Sequence, residues 1–262
     1  MIRRAVLSRI DRPAVQGRTA PVLAAIETEG LEEVEVFVKL SAGCDQGVVN
    51  LAREAIAACL AADLGLPVPR PWLVEVPPEI LPVVADAEVA EKLSRSVPVA
   101  FGSTRAPEFS VWTTGHRLTE AMRPVAASIL LFDAIIQNPD RRADNPNCLV
   151  RGDDLRIIDH ELAFMHRLTL FWRPPWLLGG MSDFEAPGRH IFVSPLRAAA
   201  VDFEPIRPRW IALSDARLEE YAESAPPEWA AARDDIDAAL KLIADARDNV
   251  DACITELGRV LS

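Results

Sequence analysis

Three oxygen-bearing side chains lie at spacings suited to phosphoryl transfer: Asp140, Asn145 and Asp159. This reaction needs a carboxylate beside the attacking hydroxyl and oxygen ligands that hold Mg²⁺ against the nucleotide phosphates. Asp140 is the candidate for the first role, and Asn145 with Asp159 for the second. Taken alone, residues 138–141 fit an ordinary polar turn, so the prediction depends on all three offsets together.

A β-hairpin is predicted between Asn145 and Asp159. The intervening residues run from an apolar stretch through a turn-rich stretch to a second apolar stretch, and Gly152 lies midway. A hairpin centred on Gly152 would set the two side chains opposite each other, about 5 Å apart. A helix is predicted over residues 117–136 because of the apolar run that ends there. Asp140 then lies on a loop between two regular elements, where catalytic residues are common.

The N-terminal half offers a lysine and a glutamate for nucleotide binding. Residues 34–40 alternate in the manner of a strand that ends near Lys39. Residues 48–64 lack Pro and Gly and predict a helix, on which Glu54 shares a face with apolar side chains. Kinases place a strand lysine on the nucleotide phosphates. Taken singly, Lys39 is better explained as a solvated strand end, and Glu54 is equally well explained as a surface carboxylate.

The order of Asn138, Asp140, Arg141 and Asn145, followed by a hairpin and Asp159, resembles the HipA-like serine/threonine kinases. More distantly it resembles the phosphoinositide lipid kinases. The sequence Leu-Gly-Leu-Pro at residues 64–67 is a further point of similarity to the HipA-like family. Two departures stand out. Arg occupies position 142, where those families usually have His, and His-Glu at 160–161 replaces the Phe-Gly of many kinases.

The resemblance implies roles for individual residues. Asp140 is expected to be catalytic, with Arg141 supporting its loop. Asn145 and Asp159 are expected to bind Mg²⁺. By the same similarity, the side chain expected on the ATP phosphates is Lys39, and the residue expected to pair with it is Glu54.

The resemblance also implies a fold and a reaction. We expect an α+β, two-lobed protein kinase-like fold, with an N-terminal nucleotide-binding lobe of mixed β-sheet and one helix over residues 1–112. A mainly helical C-terminal lobe that carries the catalytic-loop hairpin is expected over residues 113–262. The expected cofactors are ATP and Mg²⁺, and the expected substrate is a Ser or Thr hydroxyl of a protein.

A candidate phosphate-binding loop lies upstream of Lys39. Gly17 and Thr19 fall between two predicted short strands, where their backbone amides could bind a phosphate. The loop has a single glycine and matches neither a Walker loop nor a protein-kinase glycine loop. A polar hairpin connection explains it as well.

Composition bounds the partners and the compartment. The net charge of −11 argues against non-specific binding to nucleic acid, whose phosphates require a basic surface. Arginines at 141, 142, 151 and 156 could instead form a local phosphate pocket, or pair with nearby aspartates at the surface. The four cysteines lack CxxC spacing, and no secretory signal is visible, so we expect reduced thiols in a cytoplasmic protein.

Two C-terminal segments carry weaker predictions. Residues 168–181 are aromatic but too short and too interrupted by Arg and Pro to span a membrane. They predict either an aromatic binding surface or a lid packed on the C-terminal lobe. Residues from about 205 onward predict helices, the last being one long helix that includes residues 239–261. The sequence leaves the oligomeric state open.

Three other functions remain open on sequence grounds. The aminoglycoside and choline phosphotransferases share the Asp, Asn and Asp arrangement, but they usually have His two residues before the first Asp, where this chain has Asn138. A small-molecule hydroxyl is therefore the alternative acceptor. A nucleotide-binding pseudokinase that acts as an interaction module is another alternative. Transfer of a nucleotidyl group is the third.

Overall fold

The computed structural model describes residues 2–14, 19–197 and 199–262. Its strands are β1 Arg3–Pro13, β2 Val22–Glu27, β3 Glu33–Lys39, β4 Pro71–Glu75, β5 Val99–Thr104, β6 Ser110–Val111, β7 Cys148–Arg151 and β8 Asp154–Ile157. Its α-helices are α1 Val48–Asp63, α2 Ala87–Ser94, α3 Arg123–Ile135, α4 Val193–Arg197, α5 Arg207–Ile211, α6 Asp215–Glu223, α7 Arg233–Asp248 and α8 Val250–Leu261. This mixture agrees with the predicted α+β class.

The first five strands form a closed barrel in the order β1, β2, β3, β5, β4. The pairing of β1 with β4 is parallel, and the other four pairings are antiparallel. Alternate residues of β3, such as Val36 and Val38, are fully buried and pack with Leu7, Val22 and Val74 in a hydrophobic cluster. Because the barrel is closed, each of these strands has two neighbouring strands. The alternating pattern within a strand predicts the strand but not this closure.

Helix α1 agrees with its predicted limits to within one residue, but its packing differs from the expectation. Its apolar side chains join the large core cluster that also contains the C-terminal helices, including Trp229 and Ile236. The indole Nε1 of Trp229 donates to the Val99 carbonyl at 2.9 Å, which ties the barrel wall to the C-terminal part of the chain. The helix is therefore shared between the barrel and the helical core, and it does not belong to the N-terminal half alone.

The Leu-Gly-Leu-Pro sequence ends helix α1 and links it to the hairpin. Gly65 has φ +66°, the left-handed conformation that commonly ends a helix, and Leu66 N donates back to the Ala61 carbonyl at 2.8 Å. The chain then turns so that the Pro67 carbonyl accepts from Ile157 N on β8 at 2.9 Å. These four residues thus connect the end of α1 to strand β8 of the hairpin.

The predicted hairpin is present, but its register is offset by one residue. Strands β7 and β8 pair Cys148 with Ile157 and Arg151 with Asp154, so the turn consists of Gly152 and Asp153. Gly152 has φ +57°, which suits glycine at the first central position of a tight turn. The strand pairing ends at Cys148 and Ile157 and does not extend to Asn145 and Asp159, so the close approach of these two side chains stays a prediction.

Strand β6 extends the hairpin into a three-stranded sheet. Ser110 pairs with Val150, and Val111 pairs with Leu149. The chain therefore passes from the barrel to the second sheet between Thr104 and Ser110. The domain boundary at residue 112 stays a prediction, but β6 lies on the C-terminal side of this crossing.

The helical part departs from the predicted limits at two places. Helix α3 begins at Arg123, six residues after the predicted start, with a proline in its first turn. The prediction of a single long C-terminal helix was wrong: α7 and α8 are separated at Asn249, whose φ of −122° and ψ of 25° are not helical.

All four cysteines are free. None of the helices in the described ranges is both long and apolar enough to cross a membrane.

Candidate active site

Lys39 lies at the centre of the first cluster of the site. Its Nζ donates to Glu54 Oε2 at 2.8 Å, to Asp159 Oδ1 at 2.6 Å and to Glu161 Oε2 at 2.9 Å. Lys39 and Glu54 are buried, with 8% and 4% of their surface exposed. The structure therefore joins the predicted lysine, its predicted glutamate partner and one predicted metal ligand, and it adds Glu161 to them.

The backbone around Asp159 explains how this contact is made. Asp159 has φ +61°, a conformation that costs a non-glycine residue about 1–2 kcal/mol and persists where its surroundings compensate. The next residue, His160, donates its backbone N–H to Glu54 Oε2 at 2.8 Å, and its Nδ1 lies 3.4 Å from Glu54 Oε1. Glu54 thus anchors both the lysine and the chain that carries Asp159.

Charge pairing sets the protonation of this cluster. Burial alone would lower the pKa of Lys39, but Glu54, Asp159 and Glu161 outweigh burial and hold that pKa well above its ordinary value. Burial alone would raise the pKa of Glu54, but Lys39 and His160 lower it to about 2. Burial raises the pKa of Glu161, and Asp159 raises it further against the opposing effect of Lys39. The lysine is cationic and Glu54 is ionised at neutral pH.

Asp140 lies at the centre of the second cluster. Its Oδ2 accepts from the side-chain amides of Asn145 at 2.7 Å and of Asn147 at 3.0 Å. Its backbone N–H donates to Asn138 Oδ1 at 3.2 Å. Two asparagines thus hold the Asp140 carboxylate and a third holds its backbone; the sequence pattern included Asn138 and Asn145.

Arg141 is fully buried, and it organises the loop from below. Its Nε donates to Asp133 Oδ2 at 2.6 Å and its Nη2 to Asp133 Oδ1 at 3.2 Å. Its Nη1 donates to the carbonyls of Asn147 and Ile158, in the latter case at 3.3 Å. Arg141 therefore joins helix α3 to the loop from within the core, and the supporting role implied by the family resemblance stays a prediction.

Asp133 receives further donors from both sides. Asn138 Nδ2 donates to its Oδ1 at 2.8 Å, and His190 Nε2 lies 3.0 Å from its Oδ2. His190 Nδ1 accepts from Phe192 N at 3.1 Å, so the neutral ring must carry its proton on Nε2 and donate it to Asp133. Although burial raises the pKa of Asp133, Arg141 and His190 together hold it well below its ordinary value.

The segment around His190 is also joined to the loop by backbone hydrogen bonds. Ala143 N donates to the Gly188 carbonyl at 3.1 Å, and Ile191 N donates to the Arg141 carbonyl at 3.0 Å. Residues 188–192, here called the loop strap, therefore hold residues 138–147, the proposed catalytic loop, from the C-terminal side.

The two clusters meet at the open end of the hairpin. Ile158 N donates to the Asn147 carbonyl at 3.1 Å, and both carbonyls that Arg141 contacts belong to this pair of residues. Asp159 follows Ile158 directly. The hairpin thus sets the spacing between the catalytic loop and the Lys39 cluster.

The oxygen donors of the site suit a hard cation such as Mg²⁺. Asn145 donates through its Nδ2, which leaves its Oδ1 without a hydrogen bond in the described part of the chain. Glu54, Asp159 and Glu161 offer carboxylate oxygens that lie within 4.8 Å of one another. The chemistry of this donor set fits the predicted ion. No hydrogen bond joins Asn145 to Asp159 within the described ranges, so their shared role as metal ligands stays a prediction.

The predicted phosphate loop is only partly described. Gly17 lies outside the described residues. Thr19 is buried, and its carbonyl oxygen lies against Gly43. A Cβ on Gly43 would be 2.7 Å from that oxygen. Gly43 belongs to the turn that follows Lys39, so Thr19 is on the lysine side of the barrel.

The arginines near the site and the segment 168–181 each had two alternative interpretations. Arg142 lies 3.5 Å from Asp140 Oδ1 and 3.4 Å from Asp144 Oδ1, and Arg151 pairs with Asp154 at 3.1 Å, which favours surface pairing for these two arginines. In the segment 168–181, the two tryptophans at 172 and 176 pack against the core, whereas Phe171 is 92% exposed. This segment therefore combines a packed lid with an exposed apolar edge.

Sequence reasoning missed four residues of the site: Asp133, Asn147, Glu161 and His190. Asp133 interrupts an otherwise apolar helix, and a lone carboxylate there signals a buried partner. Glu161 follows Asp159 closely enough to share its environment. Asn147 and His190 carry no comparable signal, because their roles depend on the turn and on the distant loop strap.

Comparisons with known proteins bear on the fold and on the family. No curated protein sequence matches the chain. The crystal structure of a Helicobacter pylori proinflammatory kinase, CtkA, is similar with a TM-score of 0.52 and 8% sequence identity, over 95% of this chain and 99% of that chain. At such low identity this likeness concerns the fold alone. A family model described as HipA-like kinase matches residues 7–173, which is more than half of the chain and includes every residue of both clusters except His190. The chain belongs to the HipA-like kinase family.

Proposed function

We propose that this kinase uses ATP and Mg²⁺ and phosphorylates Ser or Thr hydroxyls of a protein. The observation that carries the proposal is the contact of Lys39 Nζ with Glu54 at 2.8 Å and with Asp159 at 2.6 Å. These contacts bring together a cation suited to phosphate oxygens and a carboxylate suited to a metal. Neither was adjacent in sequence to the other.

In this proposal the barrel forms the nucleotide lobe, and the helical part carries the catalytic loop. Lys39 would bind the nucleotide phosphates, with Glu54 holding it in place. Mg²⁺ held by Asn145 and Asp159 would neutralise negative charge on the phosphates. The barrel end that carries Lys39 would be the mouth of the cleft.

Asp140 would orient the acceptor hydroxyl and take its proton. Its Oδ2 accepts from Asn145 and Asn147, whereas its Oδ1 has, among the described residues, the Arg142 guanidinium as its one charged neighbour, at 3.5 Å. Oδ1 is therefore the oxygen available to the hydroxyl. With 17% of its side chain exposed, Asp140 is accessible to an acceptor.

The test uses purified protein with Mg²⁺ and ATP labelled at either the γ or the α phosphate, together with a mixture of protein and small-molecule acceptors. The variants are Asp140→Asn and Asp159→Asn. The expected result is transfer of γ label to protein that both variants abolish. Asp153→Asn is the matched control, because this residue lies in the exposed turn at the far end of the hairpin.

Three outcomes would contradict parts of the proposal. Transfer of α label would indicate nucleotidyl transfer, and label on small molecules alone would indicate a small-molecule kinase. Lack of nucleotide binding in a thermal-shift assay, with and without Mg²⁺, would rule out phosphoryl transfer and nucleotidyl transfer alike and favour an interaction module.

A further inference from the structure

The ammonium of Lys39 has no N–H left for a phosphate in this structure. A protonated lysine has three N–H donors, and Glu54, Asp159 and Glu161 each accept one. Binding of a phosphate oxygen therefore requires at least one carboxylate to give up its bond. The three carboxylates differ in how easily they can do so.

Asp159 is the carboxylate best able to leave. Its side chain is 25% exposed, compared with 5% for Glu54 and 10% for Glu161. Glu54 is held by two additional contacts from His160. Asp159 is also the candidate metal ligand, so it has an alternative partner when Mg²⁺ is present.

Glu161 is fixed on the other side of the lysine. Its backbone carbonyl accepts from Asn50 Nδ2 of helix α1 at 3.1 Å, which pins this part of the chain to the helix that carries Glu54. In the described part of the chain, its carboxylate makes one hydrogen bond, to Lys39. The backbone anchor and the carboxylate contact together suit a residue that holds Lys39 in place.

We propose that Glu161 is a positioning residue for Lys39, and that it keeps the ammonium beside Glu54 while Asp159 exchanges Lys39 for the metal. One N–H of Lys39 is then released to the nucleotide phosphate, and the other two keep the lysine in its place. This inference rests on the proposed kinase function. It assigns a role to a residue that stands where many kinases have Gly.

The contact itself can be tested without any nucleotide. The chain has three lysines, Lys39, Lys92 and Lys241, so limited acylation by a small amine-reactive reagent can be followed at each by peptide mass spectrometry. In Glu161→Gln and Glu161→Ala, labelling of Lys39 relative to Lys241 is expected to rise about threefold to tenfold, because the amine loses one of the three carboxylates that hold it in its buried position. An unchanged ratio in both variants would overturn the inference.

The role in catalysis is tested by kinetics with MgATP. For Glu161→Gln we expect kcat to fall about tenfold or more, since a misplaced Lys39 weakens its contact with the reacting phosphate. The KM for MgATP is expected to change less than about threefold, because loss of a negative charge favours the anionic nucleotide while loss of positioning opposes it. In a Lys39→Met background the same substitution should change kcat less than about twofold.

Glu256→Gln is the matched control for loss of a buried carboxylate. Glu256 is 4% exposed and accepts from Gly179 N at 2.9 Å, away from both clusters. This variant is expected to leave kcat unchanged. An equal loss of kcat in Glu161→Gln with and without Lys39 would overturn the inference. Failure of the wild-type chain to bind MgATP would overturn the proposed function itself, and this outcome is visible without any Glu161 variant.

Discussion

Asp133→Asn tests the buried charge network beneath the catalytic loop. Asp133 and Arg141 each have 0% of their side chains exposed, and they are joined at 2.6 Å. Asparagine keeps the size of the side chain and one acceptor oxygen but removes the charge. The variant therefore leaves the guanidinium of Arg141 buried without a counter-ion.

The expected loss of stability is large. Removing one partner of a buried ion pair costs about 3–5 kcal/mol, because the remaining charge has lost both water and its partner. Total stabilities of about 5–15 kcal/mol are typical of native proteins. For a chain of this size the loss corresponds to a fall in Tm of about 6–20 °C.

The pH dependence gives a second signature. Because the pKa of Asp133 is held well below its ordinary value, its contribution to stability is fully present above the unfolded pKa of about 3.9 and is lost as the pH falls through the lower folded pKa. Burial lowers the pKa of His190, so the unfolded chain binds a proton below about pH 6.5 that the folded chain resists. Wild-type stability should therefore fall from about pH 6.5 downward, and the loss below about pH 4 should be smaller in Asp133→Asn, where Glu54 still contributes to it.

Urea denaturation and calorimetry across this pH range measure both effects. Asp237→Asn is the matched control, because Asp237 also pairs with an arginine, Arg233 at 3.0 Å, but with 54% of its side chain exposed. Its Tm should change by no more than about 1–2 °C. A loss below about 1 kcal/mol in Asp133→Asn would refute the reasoning, since Arg141 would then have found water or another partner.

Three further substitutions test other parts of the structure. Asp140→Asn should lower the rate of γ-phosphoryl transfer about 10²- to 10⁴-fold in the labelled-ATP assay while leaving the urea midpoint unchanged; a smaller loss would argue against Asp140 as proton acceptor. Gly65→Ala should destabilise the fold by at least about 1–2 kcal/mol in urea, because φ is +66° there and the added methyl group would collide with the Arg209 guanidinium; an unchanged midpoint would contradict the turn. Asp235→Ala should cost about 1–3 kcal/mol by the same measurement, because Arg53 is 2% exposed and loses a 2.6 Å bond; no loss would mean that water replaces the carboxylate.

Most residues of the two clusters could be proposed from the sequence because their types and spacings follow from local chemistry. Asp140 and Asn145 share one loop, and a short hairpin leads to Asp159. The fixed distances along the chain limit how far apart these groups can lie. Helix α1 was predicted to within one residue, since its composition alone favours a helix. The assignment of Asn145 and Asp159 as metal ligands stays a prediction.

The hairpin shows how far local reasoning reaches. Its existence followed from the apolar and turn-rich pattern, but its register depends on a two-residue turn, not a turn centred on a single glycine. A shift of one residue changes which side chains face each other. In the observed register Ile158 N donates to the Asn147 carbonyl, and the side-chain amide of Asn147 donates to Asp140.

Local sequence signals are enough to identify the proposed catalytic loop, the lysine strand and the helix that carries Glu54. The pairs of charges that share a buried environment depend on the packing of distant elements: His190 contacts Asp133 across 57 positions of sequence, and Glu161 contacts Lys39 across 122. Local propensity acts over a few residues, whereas a buried charge takes its partner from whichever element packs against it. Barrel closure and the shared core around α1 brought these partners together, and neither leaves a periodic signal in the chain.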